Sequence, residues 1–236
     1  SQVIIQGSDQ EDTHYMIDGH EVPLVFHFFG LSSVLFPESV ERVDYMSAGY
    51  GVENGRAQGG LIGLWTKEPR SDRTHGFGFV DLFNSGAMVE GPVGTKGSFF
   101  IGARQSYIGF VLKQLFKNNE SFDLTVAPTY SDMSLIYNYK INDNNQFKLS
   151  GVASSDSLKF LFKKPLATDP SVRGEFNNKT QFFRIIPQYT YRHSASSKFN
   201  TSVGTGIDKI IVNVGDNYFR LLNRAVTTRF EWEQVA

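Results

Sequence analysis

Histidine is the first residue type to consider, because its ring can bind a metal ion and its ordinary pKa lets it move a proton near neutral pH. The chain has five histidines and no cysteine. His20 and His27 are close enough in the sequence to ligate one metal ion together. No regular ligand spacing accompanies them. We therefore expect aromatic packing or surface exposure for these rings, and no metal or cofactor.

Two other stretches have compositions that could suggest catalysis. Gly102 to Ser106 is not a nucleophile elbow, because the strand-turn-helix context is missing. Gly55 to Gly63 lacks the Lys-Ser/Thr pair of a phosphate-binding loop and opens no predicted helix. The formal net charge of −1 gives no reason to expect nucleic-acid binding. We expect that the protein is not an enzyme.

The elements that must position these residues are predicted to be β-strands. From His75 onward, apolar and polar residues alternate, as in Met133 to Ile141, which favours strands with one apolar face. Similar runs cover residues 99–104, 183–192, 199–208 and 225–233. This alternation predicts about seven strands.

The connections between the runs separate two classes of β-protein. Short turns are predicted near 94–97, 142–145, 194–197 and 216–217, and longer connections near 112–122 and 163–179 alternate with them. Short turns at one edge and long loops at the other are typical of outer-membrane barrels. A soluble β-sandwich also alternates, but its inner face is usually Val, Ile and Leu. Here Tyr and Phe dominate, so we favour a membrane wall.

The stretch from Val40 to Pro69 differs from everything that follows it. It predicts a strand, a loop with several glycines, and a second strand. Upstream, Asp18-Gly19 is a strong signal for a tight turn. We expect this first part of the chain to lie inside a tube whose wall the later strands begin.

Several segments resemble TonB-dependent outer-membrane receptors. Met16 to Gly19, Pro37 to Asp44 and Gly55 to Lys67 are similar, in order, to three segments of the family's plug domain. Phe26 to Ser33 and Glu90 to Tyr107 resemble the subgroup whose members often carry an N-terminal carboxypeptidase-regulatory-like domain.

The resemblance implies a mainly all-β fold in two parts. Residues 1–70 would be a partial plug domain, and residues 71–236 the first strands of an antiparallel transmembrane β-barrel. Barrels of this kind have about 22 strands, so about seven strands make an incomplete barrel. Open edges leave backbone groups unsatisfied in hydrocarbon. We therefore expect the remaining strands to come from further sequence or from a partner chain.

The implied function is ligand uptake across the bacterial outer membrane, with the plug gating the barrel. The expected partners are outer-membrane lipid, TonB through a segment not in this chain, and a small-molecule, glycan or peptide ligand. An alternative is a structural or interaction subunit of an outer-membrane complex without import activity.

The resemblance also implies roles for particular residues. His20 and His27 would flank an outward-facing loop that touches the ligand, together with Phe28 and Phe29. Packing of these phenylalanines between plug and barrel is the alternative. Arg56 would contribute a plug–barrel contact. Charged residues on the polar face of the strands would point into the lumen; they are Lys140, Lys148, Asp156, Arg184, Arg192, Asp208, Arg229 and Glu231.

Overall fold

The computed structural model describes residues 12–27, 30, 32–51, 54, 59–115, 124–162, 174–215 and 217–234. Strands make up 74% of the structure and are arranged in two sheets. The predicted all-β fold is therefore confirmed. We call the two sheets the small sheet and the large sheet.

The small sheet has four strands in the order β2-β1-β4-β3. Their bounds are β1 Thr13–Ile17, β2 His20–Glu21, β3 Val40–Met46 and β4 Gly60–Thr66. β4 lies between β1, to which it is parallel, and β3, to which it is antiparallel. Its continuous apolar run, Leu61 to Trp65, is almost entirely buried, as expected for a strand that is covered on both faces.

The turn between β1 and β2 has the geometry that its sequence predicts. Asp18 and Gly19 both have positive φ, 46° and 79°, and Ile17 pairs with His20 across the turn. Positive φ at both central residues matches the right-handed twist of a two-residue hairpin. The turn places His20 at the start of β2.

The large sheet has eight strands in chain order, each antiparallel to the next. Their bounds are β5 His75–Val80, β6 Asn84–Val93, β7 Gly97–Ser106, β8 Leu124–Asn142, β9 Asn145–Phe162, β10 Gly174–Ser194, β11 Ser197–Val214 and β12 Asn217–Gln234. The sheet is not closed, as predicted for an incomplete barrel, and it has one strand more than the approximate count.

The connections depart from the predicted division into short turns and long loops. The ends of the strands form two edges of the large sheet. We call the edge that contains the short turns at 94–96, 143–144 and 195–196 the lower edge, and the opposite edge the upper edge. The upper edge carries both long connections, but also two short ones, after β5 and after β11. Between β7 and β8 the chain forms a helix, α1, at Ile108–Leu115, where no helix was predicted. Within the described ranges, no helix has the length and apolar character needed to cross a bilayer.

The main core lies between the two sheets. Ile17, Ile62 and Leu64 of the small sheet pack in one cluster with Val152 and Ile186 of the large sheet. A second cluster forms around Phe36, which contacts Met88, Phe100 and Ile136. We call the covered face of the large sheet its inner face and the opposite face its outer face.

Two residues that interrupt the alternation now have an explanation. Ile136 and Ile186 are apolar at positions where the sequence pattern calls for polar residues. Both lie on the inner face and are almost completely buried, because the small sheet packs over Ile186 and Phe36 packs in one cluster with Ile136. The inner face is therefore a covered surface and not an open water-filled wall.

Candidate functional site

The candidate site is the polar part of the interface between the two sheets. One side comes from the segment between Val25 and Val34, which turns back on itself. Phe26 and Ser33 form a bridge, and the His27 backbone N–H donates to the Ser32 carbonyl at 2.8 Å. This turn projects the His27 ring onto the inner face of β8 and β9.

The His27 ring lies between two carboxylates and has no exposed surface. Its Nδ1 is 2.9 Å from Oδ1 of Asp156, and its Nε2 is 3.0 Å from Oδ2 of Asp132. The ring also stacks on Tyr130 with centroids 4.0 Å apart. A carboxylate accepts hydrogen bonds, so both ring nitrogens must carry a proton if both aspartates are ionised. The arrangement therefore holds an imidazolium ion.

The electrostatic surroundings support the protonated form. Burial alone would lower the pKa of His27, but the hydrogen bonds to Asp132 and Asp156 outweigh it and raise the pKa above its ordinary value. Asp132 also accepts from Nε and a terminal nitrogen of Arg104, at 2.9 and 2.8 Å. Two cations thus neutralise two buried carboxylates, which is the condition for ions in a dry interior.

Arg104 connects this charge cluster back to the small-sheet part of the chain. Its terminal nitrogens donate to the Ser32 hydroxyl and to the Ser33 carbonyl. We use the name His27 cluster for His27, Arg104, Asp132 and Asp156. The His27 cluster joins β7, β8 and β9 to a single turn of the preceding segment.

A second set of contacts surrounds Asp18. Its carboxylate accepts from the Thr66 backbone N–H at 2.9 Å and from the Thr66 hydroxyl at 2.6 Å. Lys148, on the large sheet, donates to the Thr66 carbonyl at 2.6 Å and lies 3.6 Å from the Asp18 carboxylate. The first and last of the three plug-like segments thus meet each other and the large sheet at one point.

The residue after Thr66 makes a third contact with the large sheet. Lys67 Nζ lies 2.9 and 2.8 Å from the two carboxylate oxygens of Glu90. Glu90 is buried and also accepts from the Arg70 backbone N–H at 3.1 Å. The end of the small sheet is therefore fastened to β6.

His20 makes the fourth contact, in an environment opposite to that of His27. Its Nδ1 and Nε2 lie 2.6 Å from the Thr227 hydroxyl and 2.8 Å from the Ser202 hydroxyl. Burial and the positive charge of Arg229 lower the pKa of His20 to about 4. Hydroxyl groups can both donate and accept, so they suit a neutral ring. His20 is thus held uncharged at neutral pH.

The ring of His20 fits because β11 has no side chain beneath it. A Cβ added at Gly204 would lie 2.5 Å from Cγ and Nδ1 of the ring. Beside it, Arg229 donates to the Gly19 carbonyl at 3.1 Å, and Arg184 donates to the Glu21 carbonyl at 3.1 Å. The β1–β2 hairpin is therefore bonded to the large sheet at Gly19 and at Glu21.

The structure places the predicted ligand residues as follows. His20 and His27 are both brought into the interface between the sheets, and this geometry fits the packing interpretation. Their ligand-binding role stays a prediction. Phe28, Phe29 and Arg56 lie outside the described residues. Within the described ranges, no group of three or more His, Cys, Asp or Glu side chains is arranged so that it could hold a metal ion.

The predicted inward charges fall into three groups. Lys148, Asp156, Arg184 and Arg229 contact the small-sheet part of the chain directly. Asp208 and Glu231 pair with two of these, at 2.5 Å to Arg184 and 2.6 Å to Arg229. Lys140 and Arg192 are exposed near the lower edge. Sequence reasoning did not single out Arg104, Asp132 and Glu90, although alternation puts the first two on the polar face.

Comparison with solved structures gives matches to receptors. A variant of the ferric enterobactin receptor from Pseudomonas aeruginosa is similar with a TM-score of 0.65 and 12% identity, over 97% of this chain and 39% of that chain. The ferripyoverdine receptor of the outer membrane of Pseudomonas aeruginosa gives 0.59 and 13%, over 91% and 31%. The ferric-catecholate import receptor Fiu from Escherichia coli gives 0.58 and 12%, over 98% and 39%.

No protein-family model matches the chain, and no curated protein sequence matches it. The chain spans 31 to 39% of the length of the three receptors above, so the likeness concerns part of their architecture. Because the sequence identity is 12 to 13%, the likeness shows the fold alone. The chain has the fold of part of a TonB-dependent siderophore receptor, and the predicted resemblance is confirmed at that level.

Proposed function

We propose that this chain forms the later part of the plug and the first barrel strands of an outer-membrane TonB-dependent receptor that imports a ligand. The small sheet would be the plug, and the large sheet the beginning of the barrel, with the division near residue 70. The observation that carries the proposal is the covered inner face: the small sheet packs on it through an apolar core and is also joined to it by hydrogen bonds and ion pairs.

The polar contacts in this interface suit a plug that must move. When such a contact opens to water, solvent replaces each lost hydrogen bond, so the net cost is about 0.5–1.5 kcal/mol per neutral bond. An entirely apolar interface of the same extent would expose its whole surface to water at about 25 cal/mol per Å². Energy transmitted through TonB would then release the small sheet by breaking discrete contacts.

The membrane position follows from the outer face. Leu135, Ile185 and Val226 occupy one row across β8, β10 and β12, and such a row would face acyl chains. The edge strands β5 and β12 would need further strands, from the same protein or a partner, to pair their backbone groups in the bilayer.

The first ligands to test are iron chelates. The similar receptors bind ferric enterobactin or ferripyoverdine by name, and this chain shares their fold. A glycan or peptide is the alternative ligand class. The candidate ligand residues Phe28 and Phe29 lie outside the described residues and do not choose between these classes.

A disulfide lock tests whether the small sheet gates uptake. The hydroxyl oxygens of Thr66 and Ser150 lie 3.1 Å apart across the interface, so cysteine side chains at these two positions would face each other. These 236 residues contain no cysteine, so Thr66→Cys/Ser150→Cys is the only cysteine pair within them. We expect oxidised cells that express the complete gene product to lose uptake of radioactive ferric enterobactin or ferripyoverdine, and reduction to restore it.

The matched control is Thr190→Cys/Asn200→Cys. These residues pair in register on β10 and β11, so their disulfide lies within the large sheet and does not join it to the small one. Uptake should persist in this variant under oxidation. Undiminished uptake by the oxidised Thr66–Ser150 variant, with the disulfide verified by mass spectrometry, would contradict gating by the small sheet. No uptake of either chelate by the natural protein would remove iron chelates as the ligand class.

A further inference from the structure

The outer face of the large sheet changes from apolar to polar within a few residues of each strand. Register across β8 to β12 defines rows that run across the sheet. One row contains Leu135, Gly151, Ile185, Thr205 and Val226. The next row toward the upper edge contains Met133, Ala153, Phe183, Ile207 and Arg224. The row above that contains Ser131, Ser155, Gln181, Lys209 and Leu222.

A groove follows this boundary. Its volume is about 1090 Å³, at the upper end of the range for small-molecule sites. Its apolar side is formed by Ala103, Met133, Ala153, Phe183 and Ile207, and its polar side by Gln105, Ser131, Ser155, Gln181 and Lys209. The groove is therefore amphipathic, with the polar side toward the upper edge.

Four cations lie at and above the groove. Lys209 lines it, and Arg224 is in register with Ile207, another lining residue. Lys179 and Arg220 are both in register with Ile211, one row above Lys209. None of the four makes an ion pair or hydrogen bond with another described residue.

We propose that this groove binds a phosphate-bearing membrane lipid, with acyl chain on its apolar side and phosphate on the cations Lys209, Arg224, Lys179 and Arg220. The proposal rests on the proposed function, because it requires the apolar rows to lie in a bilayer.

The pattern of charge selects a lipid over other occupants. A free anion would gain nothing from the apolar side of the groove. In a membrane, by contrast, an apolar row directly below a cationic row coincides with the boundary between acyl chains and headgroups. Arginine or lysine is unfavourable at the bilayer midplane and costs almost nothing at the interface. Each lysine or arginine near the membrane surface also attracts anionic lipid headgroups.

Lipid retention by the complete gene product tests the proposal. The protein is purified in a neutral detergent, and dioleoyl phosphatidic acid is titrated while bound lipid is counted by native mass spectrometry. Dioleoylglycerol supplies the same chains without phosphate, and inorganic phosphate supplies the anion without chains. We expect saturable binding of phosphatidic acid alone. Lys209→Gln/Arg224→Gln should weaken it about twenty-five-fold, at about fivefold for each cation removed.

Arg192→Gln/Lys198→Gln is the matched control, since it removes two cations near the opposite edge and should leave binding unchanged. Equal retention of dioleoylglycerol, equal binding of inorganic phosphate, or no binding of phosphatidic acid would each overturn the proposal. So would unchanged binding by the Lys209/Arg224 variant. Heat-modifiable migration and chelate uptake are measured on the same protein. A folded barrel that retains lipid without importing chelates would remove iron chelates as the ligand class and leave this inference standing, since the inference needs only the membrane position of the barrel.

Discussion

The two faces of the large sheet are built from the same alternating strands but treat charge in opposite ways. On the inner face, cations and carboxylates lie next to each other, as in the pair Arg184–Asp208 at 2.5 Å. On the outer face, the four cations at the groove form no ion pair with another described residue; they are Lys209, Arg224, Lys179 and Arg220. The difference teaches that alternation defines the faces, whereas the material covering each face decides how its charges are balanced.

The covering material also explains where the inner face is apolar. Ile186 and Phe182 lie under the small sheet, while Asp156 and Arg184 meet polar groups of the same part of the chain. The inner face is therefore complementary to one particular partner surface. Below the cationic rows, the described part of the outer face has no comparable alternation of apolar and charged side chains. This uniform surface fits the proposed position against fluid acyl chains.

Removing the ring of His27 should have the largest effect on the inner face. His27→Leu leaves Asp132 and Asp156 buried with only Arg104 to compensate them. Breaking a buried ion pair in this way costs about 3–5 kcal/mol. We expect the free energy of unfolding in urea to fall by this amount, and the small sheet to become sensitive to protease while the barrel stays inserted.

A second substitution separates charge from packing at this position. Asp156→Asn in the His27→Leu background removes the uncompensated carboxylate, and should recover part of the lost stability. If the double variant is as unstable as His27→Leu alone, the loss reflects the missing ring and not the unpaired charge.

A charge placed in the apolar rows should break the outer face. Ile185→Arg puts a cation where we expect acyl chains, at a cost of about 2–4 kcal/mol near the midplane. Thr190→Arg is the control, since Thr190 lies on the inner face of the same strand and is only half-buried. Heat-modifiable migration on gels measures barrel assembly. Equal assembly of the two variants would contradict the assignment of faces.

The two buried histidines should give smaller effects of opposite sign with pH. The raised pKa of His27 means that its contribution is fully present below about pH 6.5 and is lost as pH rises through the folded-state pKa. The pKa of His20 is lowered to about 4, so its protonation in the unfolded state costs stability as pH falls from about 6.5 to about 4.

Unfolding free energies across pH, compared with single variants, test this pair. His27→Leu should flatten the decline on the alkaline side, and His20→Asn should flatten the decline on the acidic side. Ile185→Leu on the outer face should change neither slope. If either histidine variant preserves its slope, another group is responsible for that part of the pH dependence.

The sequence predicted the strand-rich fold because period-two alternation is a local signal. It also predicted the Asp18–Gly19 turn, where two positive φ angles require these residue types. Alternation further placed Asp156 and Arg184 on the polar face, which the structure confirms.

The contacts of the interface could not be predicted, because they depend on register between distant strands. Arg104 lies opposite Asp132 in the register of β7 and β8, and no local pattern reveals this pairing. The helix α1 was missed for a different reason. Ile108, Val111 and Leu115 have helical spacing, but two turns are too short for periodicity to compete with the surrounding loop signals.

The glycine beneath His20 has a mechanical consequence. Since a methyl group at Gly204 would coincide with the imidazole, one hydrogen atom sets how deeply the β1–β2 turn can settle against the wall. The same turn carries Asp18, bonded to Thr66, and Gly19, bonded to Arg229. A turn raised by the width of a methyl group would stretch both of these bonds at once, so the seating of this corner is cooperative.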